Sequence, residues 1–152
     1  MPETIYDALR ESHERQRSLC RSLLRSPAHG ERRQVVFSDL RIELAAHAAA
    51  EERFLYAPIL MDDAGLSPSR HALHEHHEID ELVERLQERD VAARGWLAVA
   101  RKLSHEVHHH LREEETKFFQ VSGKILDDAR KVRLARSYRR DFARMRKTLA
   151  MK

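Results

Sequence analysis

The chain has 152 residues, 41% of them hydrophobic and 35% charged, with four Gly and four Pro; this supplies apolar material for one core and too little turn chemistry for a many-stranded sheet. The formal net charge is +3, and a single cysteine, Cys20, excludes an intramolecular disulfide framework and makes the cytoplasm the expected compartment. No basic start precedes an apolar run, and the longest such run, "LAAHAAA", is broken by His47, so neither a secretory signal nor a membrane span is expected.

Four breaker stretches, "SPAHGE" (26–31), "APILMDDAGLSPS" (57–69), "RDVAARG" (89–95) and "VSGK" (121–124), divide the chain into helical segments near 3–25, 32–56, 69–88, 94–121 and 128–149. Connections of this length favour antiparallel neighbours, so the expectation is an all-α, up-down four-helix bundle over residues 1–123 with an additional amphipathic helix over 124–152. No low-complexity region or close internal repeat stands out.

In the first segment Ile5, Leu9, Cys20 and Leu23 form an apolar stripe, and His13 follows Leu9 by one turn, pointing inward. Cys20 reads as a small core residue. In the second, Phe37, Leu40, Leu44, His47, Glu51 and Phe54 advance by three or four residues, which turns His47 and Glu51 inward together. Tyr56, at the end of this segment, reads as a core cap within reach of Glu51. The third offers four histidines, of which His76 shares the face of Ala72, Ile79, Val83 and Leu86, whereas His74 and His77 turn towards Asp80, Glu81 and Glu84. The fourth opens on Trp96, a packing anchor. Its stripe of Ala100, Leu103, Val107, Phe118 and Val121 admits His110 and Glu114 and leaves His105, His109 and Glu113 outside.

The fifth segment carries Leu134, Tyr138, Phe142, Met145 and Leu149 on one side. Residues 124–152 hold 11 Lys/Arg against three Asp, leaving −5 for the rest. This basic helix is expected to pack on the bundle or on a second subunit as a homodimer contact. Nucleic acid is not expected as a partner, because no base-reading module accompanies the charge.

An ionised glutamate inside a bundle costs several kcal/mol unless its charge is compensated, and buried imidazoles need partners for both nitrogens. Four His and two Glu on four inner faces therefore call for cations, and a His/carboxylate set suits iron, manganese or zinc. The His-x-x-x-Glu step puts both side chains on one helix face with Cβ atoms about 5–6 Å apart. His13 to His47 spans 34 positions, His47 to His76 spans 29 and His76 to His110 spans 34, which brings the candidates to similar depth in successive antiparallel helices.

The blocks "DALRESHE" around His13, "HAAAEERFLYAP" (47–58), "EHHEIDELVERL" (75–86) and "HLREEETKFF" (110–119) resemble the hemerythrin-like domain, also called the HHE cation-binding domain, from about residue 5 to 121. The resemblance implies a four-helix bundle holding two non-haem iron ions, with His13, His47, His76 and His110 as ligands and Glu51 and Glu114 as bridging carboxylates. Oxygen-carrying members have two ligating histidines one turn apart on the third helix. Here Ala72 and Asp80 occupy the positions one turn either side of His76. Asp80 substitutes, His77 is recruited, or a coordination position stays open. The implied function is binding of O₂ or a related small ligand in sensing, storage or defence against oxidative or nitrosative stress. The alternatives are an iron-dependent repair or peroxide- or nitric oxide-consuming enzyme, and a metal-free helical interaction module. No nucleophilic triad, phosphate-binding loop or nucleotide fingerprint is present.

Overall fold

The computed structural model describes residues 1–152. Helix α1, Ile5–Arg25, starts from a capping box in which Thr4 N donates to Asp7 Oδ2 at 3.0 Å and Asp7 N donates to Thr4 Oγ1 at 3.4 Å. Helix α2, Arg32–Glu51, runs without interruption into a π-helical turn, Glu52–Tyr56, and then into the short α3, Ala57–Leu60.

The stretch 57–69, expected as a long connection, is mostly helical. Helix α4 covers Asp63–Gln87 and begins six residues before the expected start near 69, with Asp62 Oδ1 accepting Ala64 N at 2.9 Å. Two features hide this start in the sequence. Gly65 packs its Cα so close to α3 that a Cβ would stand 2.2 Å from the Ile59 carbonyl oxygen, and Pro68 sits in the second turn of α4, where its missing N–H forfeits one helical bond without ending the helix.

After Gly95, which takes φ +84°, helix α5 spans Trp96–Glu113. A second π-helical turn, Glu114–Phe118, leads into α6, Phe119–Ile125, so the "VSGK" stretch expected as a breaker stays helical. Helix α7, Asp128–Ala150, is capped by Asp127 Oδ1, which accepts Arg130 N at 2.8 Å.

Four antiparallel rods result: α1, α2 with α3, α4, and α5 with α6. Helix α7 lies along α1 and α2 of its own chain, burying Tyr138 and half-burying Leu134 and Phe142, while Arg53 and Arg139 tie it to the bundle through Asp141 and Glu3. The apolar interior falls into two clusters. One gathers Cys20, Leu40, Val83, Trp96 and Leu103, with Trp96 Nε1 donating to the Leu86 carbonyl at 3.0 Å. The other gathers Ile5, Leu9, Leu55, Ile59 and Phe118. Along every rod the residues between these clusters are the inward histidines and glutamates, so a polar layer crosses the bundle between two greasy ones.

Candidate metal centre

All six predicted residues converge in that layer. His13 and Glu51 show no exposed surface, and His47, His76, His110 and Glu114 are at most 6% exposed. They form two groups that share both carboxylates: His13, His47, Glu51 and Glu114 on one side, and His76, His110, Glu51 and Glu114 on the other, the ligand atoms of each lying within 4.8 Å of one another. The imidazoles pair accordingly, with ring centroids 5.0 Å apart for His13 and His47 and 4.8 Å for His76 and His110. Neither Asp80 nor His77 joins the convergence; His77 turns outward and pairs with Glu81.

Each imidazole is held from behind. Nδ1 of His13 meets Glu115 Oε2 at 2.7 Å, and Nδ1 of His76, His110 and His47 meets Glu52 Oε2, Glu75 Oε1 and Tyr138 Oη, each at 2.8 Å. Nε2 therefore faces the interior in every ring, the orientation in which a carboxylate or hydroxyl fixes the tautomer of a ligating histidine. These outer partners were not anticipated. Glu52 and Glu115 follow the inward Glu51 and Glu114 directly in sequence, and the doublets "EE" at 51–52 and "EE" at 114–115 were their only trace.

The π-helical turns explain how neighbours in the chain serve different rings. Both turns begin at the carboxylate pair, at Glu52 and at Glu114. The wider winding lets Glu51 and Glu114 point to the centre while Glu52 and Glu115 reach sideways to His76 and His13 on adjacent rods. Such turns occur often at functional sites. A correspondence between the two halves also appears: His13, His47, Glu51 and Glu52 match His76, His110, Glu114 and Glu115 in spacing and in role. It breaks at the residue before the first histidine. Glu75 supports His110 in one half, whereas Ser12 takes its place in the other and donates to Glu43 Oε2 at 2.7 Å, leaving His47 to be supported by Tyr138 from α7.

Tyr56 lies between the groups. Its hydroxyl contacts Glu51 Oε1 at 2.9 Å, Glu114 Oε2, and His76 Nε2 at 3.4 Å. Burial and the neighbouring charge of Glu51 raise the carboxyl of Glu114, whereas burial of Glu51 is outweighed by the charge of His47 and by its contacts with Glu114, His47 and His76, and its carboxyl is held well below the usual range. Burial likewise opposes charge on His13 and His76, yet Glu114 and Glu115 lift His13 to about 9, and Glu51 and Glu52 lift His76 to about 10.

The donor chemistry fits a pair of cations. His13 Nε2, His47 Nε2, His110 Nε2, Glu51 Oε2 and Glu114 Oε1 are buried and lack any hydrogen-bond partner, although His13 Nε2 and Glu114 Oε1 approach to 3.2 Å without alignment. Buried polar atoms are normally satisfied. Five partnerless atoms gathered in two overlapping His/Glu groups are a donor set compatible with bound metal cations.

No helix is long and apolar enough to cross a membrane. No curated protein sequence matches the chain. Among solved structures, the crystal structure of a hemerythrin HHE cation binding domain-containing protein from Mycobacterium kansasii, the Rv2633c homolog, superposes with a TM-score of 0.84 at 23% identity, covering 95% of this chain and 88% of that one. The sequence model of the hemerythrin HHE cation binding domain matches residues 4–121, a span that holds all six convergent residues, and the chain belongs to that family.

Proposed function

We propose that the protein holds two iron ions in the central layer and uses them to bind O₂ or a related small ligand, in sensing, storage or defence against oxidative or nitrosative stress. The observation that carries this reading is the set of buried, partnerless nitrogen and oxygen atoms directed at two points. One ion would be held by His13 and His47, the other by His76 and His110, with Glu51 and Glu114 spanning both. Iron would supply reversible affinity for a diatomic ligand and one-electron chemistry; manganese or zinc would fit the same donors. The protein's own contribution is orientation. Glu115, Glu52, Glu75 and Tyr138 lock the imidazoles, and the two apolar clusters keep bulk water from the layer. A cavity of about 320 Å³, lined among others by Ala72, His110, Glu114 and Phe118, leads from the surface to the second group and admits a small ligand. A cytoplasmic setting accords with the lone free cysteine.

A second reading, turnover of peroxide or nitric oxide, is favoured by Tyr56, which keeps a proton on Oη beside both carboxylates. Anaerobic iron loading followed by elemental analysis should give two ions per chain, and His47→Ala/Glu51→Ala should fold and retain none. Full metal content in that variant would overturn the assignment. Consumption of peroxide or nitric oxide by the iron-loaded protein, lost in Tyr56→Phe, would favour turnover over simple binding.

A further inference from the structure

The His-x-x-x-Glu step that builds the inner layer occurs again on the outer side of the same two helices. His71 and Glu75 stand one turn apart on α4, His109 and Glu113 one turn apart on α5, and the two pairs face each other across the seam between the helices. His71 Nε2 lies 2.7 Å from Glu113 Oε1 and 3.5 Å from Glu75 Oε2. His109 Nε2 lies 3.1 Å from Glu113 Oε2 and 3.6 Å from Glu75 Oε2. The ligand atoms of His71, Glu75 and Glu113 all fall within 4.8 Å of one another.

Ordinary surface ion pairs on α4 look different. His74 with Glu78 and His77 with Glu81 are isolated i,i+4 pairs, well exposed, with no contribution from another helix. In the outer cluster exposure is graded, from side chains of Glu75 at 10% and Glu113 at 22% to His109 at 49% and His71 at 55%. Carboxylates form its floor and imidazoles its rim.

An independent feature ties this cluster to the interior. The 320 Å³ cavity has His71, Glu75 and Glu113 on its outer wall and His110 and Glu114 at its inner end. Glu75 belongs to both ends: Oε1 meets His110 Nδ1 at 2.8 Å, and Oε2 faces the outer imidazoles.

We propose that His71, Glu75, His109 and Glu113 form an outer site for one divalent transition cation, open to water, from which ions pass through the cavity to the inner layer. Two imidazoles and two carboxylates suit zinc, iron(II) or manganese(II). Half-exposed rim histidines allow exchange with solvent, and a shared Glu75 gives an incoming ion a ligand that already borders the inner group. The passage inward rests on the two-ion reading of that layer; the outer site does not.

The test uses full-length protein loaded anaerobically with iron(II), dialysed against zinc and analysed for both metals, beside His71→Ala/His109→Ala, whose replaced side chains are half exposed and outside the core. The wild type should keep one additional zinc per chain, and the variant should keep none with its iron unchanged. No additional zinc in the wild type, or equal zinc in the variant, would overturn the outer site. Uptake is then followed as iron(II) protected from a fast chelator after mixing with metal-free protein. The variant should reach the same final content several-fold more slowly; equal rates would overturn the passage. A wild type that binds one zinc, lost in the variant, yet takes up no inner iron would sustain the outer site and remove the two-ion reading.

Discussion

His13 shows how much of this centre depends on residues one step removed. Its Nε2 faces the shared carboxylates while Glu115, itself gripped by Arg17 Nη2 at 2.7 Å, takes Nδ1; His13 and Arg17 together outweigh burial and hold the Glu115 carboxyl at about 2. Glu115→Gln should therefore weaken the ion beside His13 by about 10–100-fold, the usual effect of losing an outer carboxylate partner, and leave the His76 side much less affected. Competition with a graded series of chelators would show one weakened ion out of two; two equally weakened ions would contradict the local role. The inward residues were legible in the sequence because helical periodicity distinguishes a polar intruder on an apolar stripe. Glu52, Glu75 and Glu115 were not, since they sit beside their stripes and their function depends on which neighbouring rod they reach; Tyr138 lies on the stripe of its helix, but nothing in the sequence says that its hydroxyl reaches His47. Cys20 offers a contrasting case: burial pushes its thiol to about 12, so it should resist alkylation in native protein at pH 8 and react once denaturant is added.

At the level of helices, the sequence marked the rods well and their junctions poorly. The stretches at 57–69 and 121–124 contain Gly, Pro and Ser, yet tertiary packing keeps both largely helical. Nor does a π-helical turn leave a periodic signature, because one wide turn shifts the phase of the stripe after it, as Phe54, expected inward, yields to the buried Leu55 and Tyr56. Gly65 is the position where this geometry is least forgiving. Gly65→Ala must push α3 and α4 apart, since the new Cβ would meet the Ile59 carbonyl and Cγ2, and it should destabilise the protein by about 1–3 kcal/mol despite the helical preference for alanine. Denaturant unfolding would register the loss. A stability gain would mean that the α3–α4 approach relaxes freely.

Across the whole molecule, the polar layer sets a conflict between stability and pH that bound cations would resolve. In metal-free protein, His13 and His76 hold protons that favour folding; this contribution is complete below about pH 6.5 and is lost as pH rises through about 9 and about 10. The melting temperature of metal-free protein should fall over that window, and the loaded protein should melt higher throughout, because ligands that bind only the folded chain stabilise it. Loading at pH 8 should also acidify a weakly buffered solution as the imidazoles surrender protons. No acidification would show that both nitrogens were already free. A chelator that leaves the melting temperature unchanged would instead favour the metal-free interaction module.

Because Glu51 and Glu114 each serve both groups, and because they stand in opposite halves of the chain, neither half contains a complete nest for even one ion. A polypeptide emerging N-terminus first would hold three of the inward imidazoles and a single one of the two shared carboxylates until its last third arrived. On the two-ion reading, completion of either group would wait for the last third of the chain, and the ordering of assembly would be written into the ownership of two side chains.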